Sequence, residues 1–142
     1  MTYSEIRFII KQTAEALLAE LGGVGLFHYG RESQHPLEGY NQPMPQIWMD
    51  PLQDTTNYGT GARNYPITVG FFEQDKSSSN AEEQAALVEK MQVLSDKFFT
   101  RLSEHDEFED ITVRRTPLYR HTQAMLTGVV SSFTITTSAR LC

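Results

Sequence analysis

The chain has a single cysteine among its 142 residues, Cys142. No internal disulfide can staple the fold, which fits a reducing compartment. No apolar run approaches the roughly 20 residues that a membrane-spanning helix requires. Met1 to Leu21 carries Glu5, Arg7, Lys11, Glu15 and Glu20 within its apolar pattern, unlike the apolar stretch of a signal peptide. Cations are in the minority: 12 Lys and Arg stand against 18 Asp and Glu, a formal charge of −6. Gripping nucleic acid by its phosphates needs clustered cations, so the charge argues against that class of function. These shortages lead us to expect a soluble, intracellular chain with no membrane contact.

What is present suits one domain over residues 1–142. A chain of this length buries roughly 70% of the surface its unfolded form exposes. Its 39% hydrophobic and 21% charged residues are ordinary for a globular protein. Ile6, Ile9, Ile10, Thr13, Ala14, Leu17 and Leu21 recur at helical spacing, with Thr2 or Ser4 as cap and Gly22-Gly23 as stop. The pattern predicts an amphipathic helix of about five turns. Val24–Arg31 and Gln46–Met49 read as short strands. Between them, Pro36, Gly39, Asn41, Pro43 and Pro45 break regularity, so 31–64 is expected to be an extended loop region interrupted by that second strand. Its last part, Gln53 to Asn64, is polar and contains Gly59 and Gly61, which predicts a mobile loop: either a functional arm or simple disorder.

Ile67, Val69 and Phe71 alternate with Thr68, Gly70 and Phe72, giving a strand with apolar surface on both faces and a candidate for an inner position. The run Ser77 to Asn80 followed by Glu82 and Glu83 starts a second helix, with Leu87, Met91, Leu94, Phe98 and Leu102 on one stripe. An acidic link, Glu104 to Asp110, precedes a strand at Ile111–Tyr119, and a long strand lies within Thr122–Ser138. The last two could form a hairpin or pair with other strands. The expected fold is α+β: a mixed, largely antiparallel sheet packed on two amphipathic helices in the order α-β-β-β-α-β-β.

Searches for chemistry return little. Gly22-Gly23-Val24-Gly25 follows a helix rather than a strand, the reverse of a phosphate loop, and reads as a helix stop. His28, His35, His105 and His121 lack the spacing of a metal site, and no serine sits in a nucleophile-elbow frame. Asp50, Asp54 and Glu73 near strand ends could do acid–base work, but their type alone reads as solvated carboxylate. We expect no enzyme, no metal and no cofactor. One charge pattern stands out. Glu104, Asp106, Glu107, Glu109 and Asp110 form an acidic cluster, followed by a basic one of Arg114, Arg115, Arg120 and His121. This is either a solvated surface with local ion pairing or a head-to-tail contact between subunits. The candidate interface residues are therefore Glu107, Glu109, Asp110, Arg114, Arg115 and Arg120, with Tyr58 and Arg63 from the Gln53–Asn64 arm.

The order of elements, carried by Tyr65–Phe72 (YPITVGFF), the helix Ala81–Leu102, and Leu126-Thr127-Gly128-Val129-Val130 with Phe133-Thr134-Ile135, resembles the small tail-terminator and head–tail joining proteins of tailed bacteriophages. It spans the whole chain, although no short signature defines that group. The resemblance implies a homo-oligomeric ring, commonly a hexamer, in the virion, contacting tail-tube and head-connector proteins while DNA passes through without being specifically bound. It supplies no catalytic residue. A small α+β binding or scaffold module, or a small enzyme, are the alternatives.

Overall fold

The computed structural model describes residues 2–30, 43–76, 78–121 and 126–138. Helix α1 (Tyr3–Glu20) begins with a capping box. The Thr2 hydroxyl accepts from the Glu5 amide at 3.2 Å, and the Glu5 carboxylate accepts from the Thr2 amide at 3.2 Å. It buries Ile6, Ile10, Thr13, Ala14, Leu17 and Leu18. Leu21, expected on this stripe, is 44% exposed, because the helix has already ended there. Gly22 and Gly23 take φ of 101° and 74°. Their amides return to the carbonyls of Ala19 and Leu18, so the predicted glycine stop is a Schellman turn, a backbone path that a side chain would strain.

Strands β1 (Leu26–Tyr29), β2 (Gln46–Met49), β3 (Thr55–Asn57) and β4 (Ala62–Gln74) follow, then α2 (Ala81–Leu102), a 3-10 turn at Asp106–Phe108, β5 (Arg114–His121) and β6 (Leu126–Ser138). The sheet order is β1-β2-β4-β6-β5, with β3 also on β4. All neighbours are antiparallel except β1 and β2. The α+β class and the mixed, largely antiparallel sheet are as the sequence predicts, with one additional short strand, β3. The two final strands do pair with each other, and β6 also pairs with β4 along the whole of β4. That ribbon is backbone-tight, since a methyl group on Gly128 would lie 1.8 Å from the Phe71 carbonyl oxygen.

Alternation along β4 sets the two faces of the sheet. Tyr65, Ile67, Val69 and Phe71 point to the same side as Ile47, Met49, Val129, Phe133 and Ile135, where both helices pack. Phe71, Phe98, Phe99, Phe133 and Phe108 form a chain of edge contacts with centroids 5.0–6.3 Å apart. Phe72, Trp48 and Leu126 face the other way and build a smaller cluster with Met44, Leu118 and Val130. Apolar surface on both faces of β4 is what its inner position requires.

Helix α2 is capped within the predicted serine-asparagine run: Asn80 Oδ1 accepts from the Glu83 amide at 2.9 Å. Its start is tied to the sheet by buried Asp75. One carboxylate oxygen accepts from the Lys76 amide at 2.7 Å and the Ser79 hydroxyl at 2.6 Å. The other accepts from buried Thr127 at 2.7 Å. A buried carboxylate is tolerated only with such donors.

Three expectations need correction. Gln53–Asn64 is not a mobile loop but the hairpin β3–β4, because Asn57 organises its turn: its side chain accepts from the amides of Gly59 at 2.8 Å and Thr60 at 3.2 Å, and Gly61 takes φ of 77°. Of the expected loop region 31–64, residues 31–42 lie outside the described residues, while the rest contains β2, β3 and the start of β4. Finally, β5 starts at Arg114 rather than Ile111. Ile111 and Val113 serve as half-buried plugs against the core before any ladder forms.

Candidate subunit-contact surfaces

Beyond the point where β2 stops pairing with β4, the hairpin partner β3 takes its place on that edge, while the other edge of β4 stays paired with β6. At the tip of the hairpin Tyr58 is 74% exposed. Polar side chains brace its base. The Tyr3 hydroxyl, in the first turn of α1, donates to Asp54 Oδ2. Asp54 Oδ1 accepts from the Thr56 hydroxyl at 3.0 Å, and that hydroxyl accepts from Arg63 Nε at 2.9 Å. The Tyr3 ring meets Tyr65 edge-on with centroids 5.6 Å apart. The hydrogen bond to Asp54 holds the Tyr3 phenol above its ordinary range, and the same bond, helped by Thr56, holds the Asp54 carboxyl below its own. Arg63 is shifted up by its hydrogen bond to Tyr65. Arg63, named from sequence as a contact residue, is thus chiefly a brace, and Tyr58 is the presented group.

The acidic link is a short rigid turn. Phe108, at its centre, is buried with its ring 6.3 Å from Phe133, which leaves Asp106, Glu107, Glu109 and Asp110 pointing outward. Among the described residues none of these four forms an ion pair. The nearby pair of Arg101 with Glu20 joins the C-terminal ends of the helices, lowering the Glu20 pKa and raising that of Arg101 through their hydrogen bond.

The basic cluster is split. Arg115 is committed within its own chain: Nε donates to Ser95 at 2.9 Å, Nη2 lies 2.9 Å from Asp96 Oδ1, and the guanidinium sits 5.6 Å from the Phe99 ring centroid. Ser95 shares a 3.1 Å hydrogen bond with Ser131, both buried, so the set latches α2 to β5 and β6. Arg114 points outward into a hollow of about 600 Å³ that it shares with Asp110, Thr112, Pro66 and Thr68. Arg120 lies on β5, with its side chain outside the described residues, as is that of His121. The acidic and basic clusters are therefore neighbours at Asp110 and Arg114 rather than opposite faces of the subunit.

A surface that the linear sequence did not bring together lies between α1 and β1. Ser4, Arg7, Phe8, Lys11, Phe27 and Tyr29 line a groove of about 390 Å³. Phe8 is 62% exposed, and the Arg7 guanidinium sits 5.1 Å from the Tyr29 ring centroid. The signal was available only as an apolar Phe8 on the polar flank of α1. On the other flank of α1, a hollow of about 410 Å³ is lined by Gln12, Thr13, Ala16, Arg101, Glu104 and His105. Half-buried β1 residue His28 is shifted below its ordinary pKa by desolvation.

Among the described residues, no group of three His, Cys, Asp or Glu is arranged to hold a metal ion. Among these same described residues, no helix is long and apolar enough to cross a membrane. No protein-family model matches the chain, and no curated protein matches it.

Proposed function

We propose that the protein is a non-enzymatic structural subunit of a phage or prophage tail, a tail-terminator or head–tail joining protein that works as one member of a homo-oligomeric ring. A hexamer is the expected size. Assembly takes place in the bacterial host cytoplasm, the virion is the final location, and tail-tube and head-connector proteins are the neighbours. The observation that carries the reading is the braced hairpin. A projection fixed at its base by Tyr3, Asp54, Thr56 and Arg63 and tipped by exposed Tyr58 presents a rigid aromatic anchor with little ordering entropy left to lose on contact. The acidic excess of the chain fits a lumen through which DNA passes without sticking.

Negative-stain microscopy and sedimentation at high protein concentration test this. Rings are expected from the native chain, and Tyr58→Ser should reduce the assembled fraction by about tenfold or more while leaving the melting temperature of the subunit unchanged. A particle that stays monomeric alone and in the presence of tail-tube protein would sink the reading and favour a small binding or scaffold module.

A further inference from the structure

The cationic aromatic groove of α1 and β1 lies apart from the acidic turn Asp106–Asp110, whose four carboxylates form no ion pair among the described residues. The other flank of α1 carries Glu104 and His105, which lead directly into the turn. We infer that groove and turn are the two halves of one subunit contact: the acidic turn of one copy seats in the Arg7–Lys11 groove of the next. The inference rests on the ring reading and says which surfaces close the ring.

Four arguments meet here. The first is charge. Among the described residues no carboxylate pairs with Arg7, whose head is held over Tyr29, and Lys11 has only an exposed 3.9 Å contact with Glu15. Asp106, Glu107, Glu109 and Asp110 repel one another across a five-residue stretch with no cation among the described residues bonded to them, and a cationic partner relieves that repulsion. The second is shape. The turn is convex and pinned from beneath by buried Phe108, and the groove is concave with Phe8 on its rim. The third is geometry. Phe108 fixes the turn beside the C-terminal end of α2 and β6, so a chain cannot fold its own turn around α1 into its own groove. Two different complementary patches on one chain generate a head-to-tail contact, which closes into a ring when the rotation permits. The fourth is elimination. Of the two cations nearest the turn in sequence, Arg115 is not free to serve a neighbour, since it is latched to Ser95 and Asp96 in its own chain.

A charge-swap experiment decides. Arg7→Glu/Lys11→Glu and Glu107→Lys/Glu109→Lys change only exposed side chains, and circular dichroism and melting curves verify that each variant folds. By sedimentation velocity in low salt, each variant alone should lose the assembled species, with at least about tenfold weaker association than the native chain. Mixing the two variants should restore assembly, because every reversed groove then meets a reversed turn. Raising the salt should weaken both the native and the mixed assemblies. Native rings that persist in both variants would overturn this contact while leaving the ring reading intact. Open or small assemblies that obey the charge swap would keep the contact and sink the ring. A native chain that is monomeric at every concentration and salt overturns the contact.

Discussion

Strand β4 belongs to two regions held by different forces. From Tyr65 to Phe72 it is paired with β6 throughout and with β2 from Val69 on, most of its side chains are buried, and apolar packing fixes it on both faces. From Ala62 to Asn64 it runs into the hairpin, where side chains are half-exposed and the ladder to β6 and a hydrogen-bonded set around Asp54, rather than apolar packing, do the holding. Packing couples every buried residue to the global stability, whereas an exposed polar brace can release locally. The arm can therefore loosen without unfolding the body, and the body cannot shift without carrying the arm.

The comparison breaks most visibly in the core. Phe98→Ala removes the ring that links Phe71 to Phe99 and should cost about 3–5 kcal/mol in denaturant unfolding, with arm and body lost together in one transition. Next in size is Thr127→Val, which takes one donor from buried Asp75 and should cost about 1–3 kcal/mol, with amide exchange rising first at the start of α2. If the body unfolded no more easily, the tie between α2 and β6 would be ornamental.

The smallest effect sharpens the comparison most. Tyr3→Phe should leave the unfolding midpoint nearly unchanged while speeding amide exchange across Thr55–Gly61, with β4–β6 amides still protected. Its pH dependence has a definite sign. The Asp54 pKa is depressed, so its contribution is complete above the ordinary carboxylate value of 3.8 and fades as pH falls through the lower folded value. The Tyr3 pKa is raised, so its contribution is complete below the ordinary phenol value of 10.0 and fades as pH rises through the higher folded value. The protection difference between native and Tyr3→Phe arms should therefore be flat near neutrality and vanish at both extremes. No difference between the two arms at any pH would show that the Tyr3 ring against Tyr65, which phenylalanine keeps, rather than its hydroxyl, is the brace.

Both helices and the inner strand β4 were legible in the sequence because their signals are local, whereas the pairing of β4 with β6 was not. Thr2 with Glu5, Gly22-Gly23 and Asn80 with Glu83 mark helix ends through bonds a few residues long, and the alternation of Ile67, Val69 and Phe71 marks an inner strand. Strand β3 was not legible: Thr55-Thr56-Asn57 has no apolar alternation, and it is a strand because Asn57 turns the chain back onto β4. The surfaces fared similarly. Tyr58 could be singled out as a candidate from a polar glycine-containing segment, and the structure exposes it. Arg115 looked free because Ser95, Asp96 and Phe99 approach it only after α2 lies on the sheet. The groove joins residues of α1 to residues of β1, and no spacing in the sequence announces it.

The β4–β6 ribbon also sets the order in which the molecule can form. Its two strands lie on either side of α2, and side chains that meet across it are 52 residues apart at Asp75 and Thr127 and 72 apart at Asn64 and Thr136. Closing so long a loop must precede any reward from the ladder, which makes folding slow relative to helix formation. A chain emerging from the ribosome holds α1 and all of β4 before β6 exists. Until β6 arrives, that flank of β4 stays open, and the newborn subunit is then most vulnerable to pairing with the wrong neighbour.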